Sequence, residues 1–506
     1  MNDWTHGYVA DVSYDYSFFP EIAPISIVFN LLDKSFFPPS LEKFTYCELG
    51  CGQGFTTNIL AATHPQGEFW GVDFNPTHAA EAQRLAEAAQ LKNIHLCDQS
   101  FAEFLQADTP AFDFITLHGV YSWIGDENRK IIVELLRQKL KCGGAVYLSY
   151  NTLPGWSAVM PLRDLMVQYT ASSADSTVQK VEQGLAFAQQ LQGVKARYFL
   201  ENPTVKYDLK EMQGDSRNYL AHEYFSRDWR PLYHSEVVQQ LADAKLTFTA
   251  SADIDDQFHN LKLDESQLDL LASITDSTLR ETIRDFLFNS RFRRDLFVRG
   301  PIKLTTLEQV ELLSNCRFAL VVLPEEIEYE IELVGYPIKL DETIYQPLVS
   351  ALADCPQTLR ELMRQPSLTK LDFASILQAL KILITTDTVV LALSKVEEEQ
   401  RKQTVAALNK AILQRARFGA DTQILASPIT GGGIDISRSE QLFLLAHLRQ
   451  VDPVQFIWNL LQVQGEKLIK EGKVLDSPEA NQAELRLQAQ RFADLRLPLL
   501  ERLGLV

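Results

Sequence analysis

The chain has 506 residues, a net charge of −18 and a hydrophobic fraction of 46%, with a sequence pI near 5.0. That length accommodates about three domains with sizeable cores. The acidity argues against broad binding to a nucleic-acid backbone, which needs a basic surface, and suits a basic acceptor such as lysine-bearing polypeptide.

Residues 44–150 read as alternating strands and helices, the pattern of a doubly wound parallel sheet. A strand over 44–49 meets the turn Gly50-Cys51-Gly52-Gln53-Gly54, and a helix-forming run follows at 55–62. Further strands are predicted at 68–73, 94–97, 112–117 and 145–150. Helices are predicted at 79–89 and 129–140, the second stopped by Cys142-Gly143-Gly144. The two strands that would complete a seven-stranded sheet do not follow at once. Residues 158–199 look helical, and the pattern resumes with a helix at 234–245 and a strand at 246–249. Helices at 267–272 and 279–289 and a last strand at 294–299 complete it. The expected core is therefore 1–165 with 220–300, interrupted by a helical insertion at 166–219. Such an excursion commonly buries itself on a second subunit, which predicts a homodimer; a lid over the substrate is the alternative.

Beyond Gly300-Pro301, residues 301–395 form a middle region whose helices at 345–354, 358–362 and 373–383 and strand at 388–393 suggest a winged-helix-like module. Its presumed recognition helix carries Asp372, Gln378 and the single base Lys381, so a protein-contact or scaffold role is favoured over DNA. Residues 396–506 form a helical module broken by Ser427-Pro428-Ile429-Thr430-Gly431-Gly432-Gly433, expected to be a surface turn. The cysteines Cys47, Cys51, Cys97, Cys142, Cys316 and Cys355 contain no Cys-x-x-Cys pair. Reduced, buried thiols and no metal site are expected. The start, Met1-Asn2-Asp3-Trp4, lacks a secretory apolar segment. No apolar run is long enough to cross a membrane. A cytoplasmic protein without membrane insertion is expected.

The glycine turn after an acidic strand end points to a nucleotide-like ligand, because residues without Cβ permit positive φ and close approach. The second strand ends in Asp73, whose carboxylate suits ribose hydroxyls. A dinucleotide fingerprint wants its third glycine where Phe55 stands, and Glu48 would repel a pyrophosphate. S-adenosylmethionine (SAM) carries a sulfonium and an ammonium instead, so it is the expected cofactor. A tight turn in a ligand-free α/β domain is the bland alternative. Glu48, Gly50, Cys51, Gly52 and Gly54 are expected at the methionine end, Asp73 and Phe74 at the ribose. Asp98, Gln99 and Ser100 belong at the adenine, with a helix N-cap as the competing role for Asp98.

On the acceptor side, His118 follows the fourth strand and is expected to orient either SAM or the acceptor amine; a packed core histidine is the alternative. Tyr121 and Trp123 offer an aromatic wall for a cation, or core packing. Tyr150 and Asn151 leave the fifth strand where an acceptor nitrogen would be oriented, unless that segment merely turns the chain at Pro154-Gly155. Tyr14 and Tyr16 are candidates to close over the cofactor, and His222 and Glu223 candidates to face the site. Methyl transfer from an activated sulfonium needs alignment above all. Tyrosine, carbonyl and amide groups are therefore expected around the nitrogen, with no strong catalytic base.

Several segments together form a more specific pattern. They are His118-Gly119-Val120-Tyr121-Ser122-Trp123 and Tyr150-Asn151-Thr152-Leu153-Pro154-Gly155-Trp156. Leu220-Ala221-His222-Glu223-Tyr224 and Phe292-Arg293-Arg294-Asp295 add to them. This set resembles bacterial class I methyltransferases that carry a methyltransferase regulatory domain, among them rickettsial protein lysine methyltransferases acting on outer-membrane proteins. Leu425-Ala426-Ser427-Pro428 and the terminal stretch from Leu497-Pro498 to Leu503-Gly504 look similar to that family's C-terminal part. The segment Tyr14-Asp15-Tyr16-Ser17-Phe18-Phe19-Pro20 is looser than the family's Pro-Tyr-Pro-rich form. The resemblance implies a Rossmann-like class I fold, SAM, a lysine side-chain acceptor on a protein, and a dimer. A small-molecule methyltransferase with a regulatory appendage, and a SAM-sensing protein without turnover, are the competing readings.

Overall fold

The computed structural model describes residues 16–506 except Val334 and Glu397. Helix α1 (Pro24–Asp33) precedes β1 (Thr45–Leu49), α2 (Phe55–Thr63), β2 (Glu68–Asp73) and α3 (Pro76–Ala88). Then come β3 (Ile94–Asp98), α4 (Phe101–Gln106), β4 (Phe112–Leu117), α5 (Asp126–Lys139) and β5 (Leu140–Asn151). After the helical insertion, α11 (His234–Ala242), β6 (Leu246–Ser251), α12 (Glu265–Ser273), α13 (Ser277–Phe288) and β7 (Phe292–Arg299) complete the sheet. Its strand order is β3-β2-β1-β4-β5-β7-β6. The first five strands are parallel, and β7 runs antiparallel between β5 and β6. The order reverses between β1 and β4, and a doubly wound sheet opens its ligand crevice at the carboxyl ends beside that reversal. Helices cover both faces, so β1, β4 and β5 are almost continuously buried and read as apolar runs.

The glycine pair expected to stop a helix lies inside a strand instead. α5 ends at Lys139 and β5 starts at Leu140. Gly143 takes φ 77°, and the pairing with β4 shifts register between Phe112 and Phe114. Arg299 Nη1 holds the Leu140 carbonyl at 2.7 Å. The glycines therefore bend a bulged strand rather than cap a helix.

The insertion comprises α6 (Met160–Thr170), α7 (Thr177–Gly193), α8 (Arg197–Glu201), α9 (Thr204–Gly214) and α10 (Arg217–Phe225). It starts earlier and ends later than 166–219. Its core joins Leu162, Met166, Leu185, Leu209 and Leu220 to Trp123, Trp156 and Trp229. The helices are thereby seated on the loops after β4 and β5.

In the middle region, a strand at Arg317–Leu320 lies between Gln357–Thr358 and Val389–Ala392, with helices at Glu342–Asp354, Leu359–Leu362 and Phe373–Thr385. Phe29 and Leu32 of α1 share its core. Lys381 is tied to Asp33 Oδ1 at 2.9 Å and Gln257 Oε1 at 2.6 Å, so the base of the presumed recognition helix serves the fold.

The loop from Ser427 to Gly433 is not a surface turn. Ser427 is 0% exposed and Thr430 5%. Thr63 Oγ1 of α2 donates to the Gly431 carbonyl at 3.0 Å. The loop is the joint between the C-terminal helices and the α/β sheet. Its small residues let two backbones approach. The thiols also differ from expectation: Cys47 is buried, whereas Cys142 and Cys355 are exposed. Among the described residues, no helix is long and apolar enough to cross a membrane.

Candidate active site

A cavity of about 550 Å3 opens at the carboxyl ends of β1, β2, β4 and β5. Its donor half is built on the glycine turn. Gly52 takes φ 54°, and no atom lies within 4 Å of the place a Cβ would occupy, so its backbone forms an open edge of the cavity. Its N–H donates to Asp73 Oδ2 at 3.0 Å. Gly54 has a different job. It lies off the cavity, and a Cβ there would stand 2.6 Å from Ala82 Cβ of α3. Gly50 and Cys51 line the cavity, and Gly50 packs against Val120.

Asp73 is oriented before any ligand arrives. Beyond Gly52, its Oδ1 accepts from the Asn75 N–H at 2.9 Å and faces His78 Nδ1 at 3.3 Å. A carboxylate has about four lone-pair sites, so roughly one remains for a hydroxyl. Glu48 is buried and accepts a short hydrogen bond from Thr57 Oγ1. Burial pushes its carboxyl up to about 7; the Thr57 bond opposes this and the Asp73 charge reinforces it. Gln99 donates its N–H to the Asp73 carbonyl at 3.1 Å. Its Oε1 is buried with no hydrogen-bond partner among the described residues. An orphaned acceptor on a cavity wall fits an exocyclic adenine amine. Phe74 and Ser100 also line the cavity, and Ser100 caps α4 with Glu103. Asp98 is exposed and lies off the cavity.

Tyr16 lines the donor half, its hydroxyl on Glu81 Oε2 at 2.5 Å and its ring under Arg415 at 5.2 Å. Phe19 stacks on His118 at 3.8 Å. Tyr14 lies outside the described residues.

His118 lines the junction of the two halves and meets Tyr147 Oη at 2.9 Å through Nδ1. Burial, with Arg294 nearby, lowers its pKa to about 3, so the imidazole is neutral and its 3.7 Å approach to Glu21 is no ion pair. Two expected acceptor residues point elsewhere. Tyr121 is fully buried and donates to Gln240 Oε1 at 2.6 Å. Tyr150 donates to Asp295 Oδ2 at 2.6 Å, beside His234, in a buried network with Arg293. Neither lines the cavity.

Asn151 does line it, on a pinned backbone: its N–H donates to Ser122 Oγ at 2.8 Å and its carbonyl accepts from Leu232 N at 2.9 Å. Its Nδ2 donates to Glu223 Oε1 at 3.2 Å. Glu223, His222 and Tyr219 reach the cavity from α10, and Arg291, Phe292 and Arg294 from the start of β7. Trp123 and Trp156 supply aromatic walls, with Trp156 Nε1 on the Arg291 carbonyl at 2.8 Å. Arg291 is itself held by Asp208 at 2.6 Å. Phe19, His78, Phe101, Trp156, Tyr219, Arg291, Phe292 and Arg294 were not singled out as site residues in the sequence. Trp156 had a local signal, since it follows the Asn151 exit directly, and Phe292 and Arg294 stand in one of the segments that carry the family resemblance.

The seven-stranded order, with its antiparallel seventh strand and a carboxylate-flanked glycine turn, defines a class I methyltransferase. The "Methyltransferase domain" family profile matches residues 47–146, and the "Predicted methyltransferase regulatory domain" profile matches residues 216–299. An uncharacterized protein of Synechocystis sp. is 42% identical over 503 residues, 99% of each chain. An uncharacterized protein of Rickettsia prowazekii is 28% identical over 306 residues, 58% of this chain and 53% of that one. PKMT2 from Rickettsia typhi, solved in complex with AdoHcy, has a similar fold: TM-score 0.70 at 20% identity, over 97% of this chain and 100% of its own. The chain belongs to the family of class I SAM-dependent methyltransferases that carry a methyltransferase regulatory domain. The segment matched by the regulatory profile is also a wall of the cavity, since it contributes Tyr219, Glu223, Phe292 and Arg294.

Proposed function

We propose that this methyltransferase transfers the methyl group to lysine side-chain amines of a protein, working as a cytoplasmic homodimer. The carrying observation is the acceptor half of the cavity: an amide–carboxylate pair, Asn151 and Glu223, in a cavity that Trp123 and Trp156 also line. That combination suits a nitrogen that arrives as a cation on an apolar stem. The exposed rim at Tyr219 and Phe292, and the net charge of −18, support a basic polypeptide over a small neutral acceptor. PKMT2 of Rickettsia typhi, a similar fold solved in complex with AdoHcy, supports SAM as the cofactor.

SAM, when bound, supplies a methyl already activated on a sulfonium. Asp73 would hold its ribose, Gln99 Oε1 its adenine amine, and Glu48 with the Gly50–Gly52 backbone its charged methionine end. Tyr16 and Phe19 also line the cavity. The chain must also align the acceptor, which Asn151 does from a fixed strand end.

Lysate incubated with the enzyme and methyl-labelled SAM tests this. Label in protein, recovered as methyllysine after hydrolysis, is expected. Label confined to the low-mass fraction would instead favour a small-molecule methyltransferase.

A further inference from the structure

We propose that Glu223 is the group that receives the acceptor ammonium and takes its proton, so that the regulatory segment supplies a catalytic residue. This rests on the amine-acceptor reading above and deepens it.

Glu223 sits on α10, is half-buried and lines the cavity. Among the described residues its one hydrogen-bond partner is Asn151 Nδ2, at 3.2 Å, and no cation is paired with it. The neighbouring cations are engaged elsewhere: Arg291 with Asp208 at 2.6 Å, and Arg294 with Glu21 at 3.1 Å and Asp253 at 2.7 Å. Among the described residues, the other titratable groups near it are Tyr219, His222 and Tyr224 on its own helix, and His118 lines the same cavity. His118 is held neutral by burial. A carboxyl group left in this setting invites a cation from outside.

The chemistry it would do is a proton transfer. An N–H bond of the ammonium breaks, its electron pair stays on nitrogen, and the proton bonds to a Glu223 oxygen. The amine is then a nucleophile, and the proton leaves to water after product departs. An ordinary glutamate, near 4.3, is a poor partner for lysine, near 10.4, with a mismatch of about a millionfold. Burial lifts Glu223 to about 7, with the Asn151 bond opposing, and this narrows the mismatch to a few thousandfold. Desolvation of the ammonium on entering a cavity lined by Trp123 and Trp156 narrows it further. The expectation of no strong base at the nitrogen therefore gives way to a weak base made adequate by burial.

Poly-L-lysine serves as the probe, with the full-length protein loaded with S-adenosylhomocysteine. Calorimetry at pH 8 in buffers of different ionisation enthalpy counts protons released on binding. The wild type should release close to none per occupied site, because Glu223 keeps the proton. Glu223→Gln should release about one, because only the neutral amine is then accommodated. In turnover with the same probe, Glu223→Gln should lose about a hundredfold in kcat/KM at pH 7 and recover most of it by pH 10, with Glu223→Asp intermediate. S-adenosylhomocysteine affinity should be unchanged within about threefold in both variants, which reports an intact fold. Equal proton counts, or a loss that is the same at every pH, would overturn the assignment while leaving amine methylation standing. A wild type that neither binds nor methylates the probe, and puts no label into protein, would remove both.

Discussion

On the donor side of the cavity, Glu48, Gly52, Asp73 and Gln99 come from the ends of three consecutive strands, within about one βαβαβ run. On the acceptor side, Asn151 meets Glu223 across 72 residues of chain, and Phe292 and Arg294 arrive from β7. The donor half is thus local and the acceptor half is assembled. The cofactor demands the same shape whatever is methylated, so a short turn suffices for it. The acceptor differs between enzymes, and its wall comes from the insertion and the seventh strand, which vary without disturbing the sheet.

The largest expected effect tests the donor half alone. Gly52→Asp puts a carboxylate at φ 54° on the cavity edge, beside Glu48 and Asp73. S-adenosylhomocysteine binding should fall beyond about a thousandfold, about 4 kcal/mol, by calorimetry. Asp73→Asn keeps the shape but weakens the bonds from the Gly52 and Asn75 N–H groups. The loss should be about 10- to 100-fold, matching the weight of bonds to a charged acceptor. Affinity preserved in either variant would mean that the cofactor lies elsewhere.

Asn151→Ala tests the other half. Turnover should fall about 30- to 100-fold while S-adenosylhomocysteine affinity stays within about twofold, because Asn151 aligns the acceptor and not the donor. Parallel losses in both quantities would break the division of the cavity.

Glu48 offers a smaller and pH-resolved effect. Its carboxyl titrates at about 7 in the fold and near 4.5 outside it, so the folded state binds the proton more tightly. Its contribution to stability is present at low pH, declines between about 4.5 and 7, and is gone above. Across that window the unliganded enzyme should lose up to about 3 kcal/mol through this group. Urea melts at pH 5 and pH 8 should show Glu48→Gln flattening that decline relative to wild type.

The same division explains what was legible in the sequence. The sheet was readable because parallel strands buried on both faces become continuous apolar runs, and Gly50-Cys51-Gly52-Gln53-Gly54 with Asp73 carries its chemistry in adjacent letters. The acceptor wall was not. Tyr121 and Tyr150 sit in the right segments, but their rings enter the core: strand alternation in β5 turns Tyr150 onto Asp295, and the turn after β4 carries Tyr121 onto Gln240. Phe292 and Arg294 reach the cavity only because β7 inserts antiparallel beside β5, a pairing that no local pattern encodes. The Ser427–Gly433 joint failed for a similar reason. Glycine, proline and threonine mark a turn, and composition alone cannot tell an outer turn from one pressed between two domains.

That joint carries the smallest prediction, and it asks whether the donor half is as self-contained as its local motif suggests. Gly432 packs on Phe18, and a Cβ there would stand 2.9 Å from Phe18 Cζ and 3.1 Å from Cε1. Phe18 lies between Tyr16 and the helix start at Pro20, and Tyr16 and Phe19 both line the cofactor cavity. Gly432→Ala must move the Phe18 ring by a few tenths of an ångström, and the segment moves with it. S-adenosylhomocysteine affinity should drop about threefold, under 1 kcal/mol. Gly193→Ala, at the end of α7 with no atom within 4 Å of the added methyl, should change nothing. A shift in the first and not the second would mean that the C-terminal helices set the closure of the donor half from a distance, through one aromatic ring. Identical affinities would leave those helices as a scaffold and the glycine turn as the sole determinant of cofactor binding.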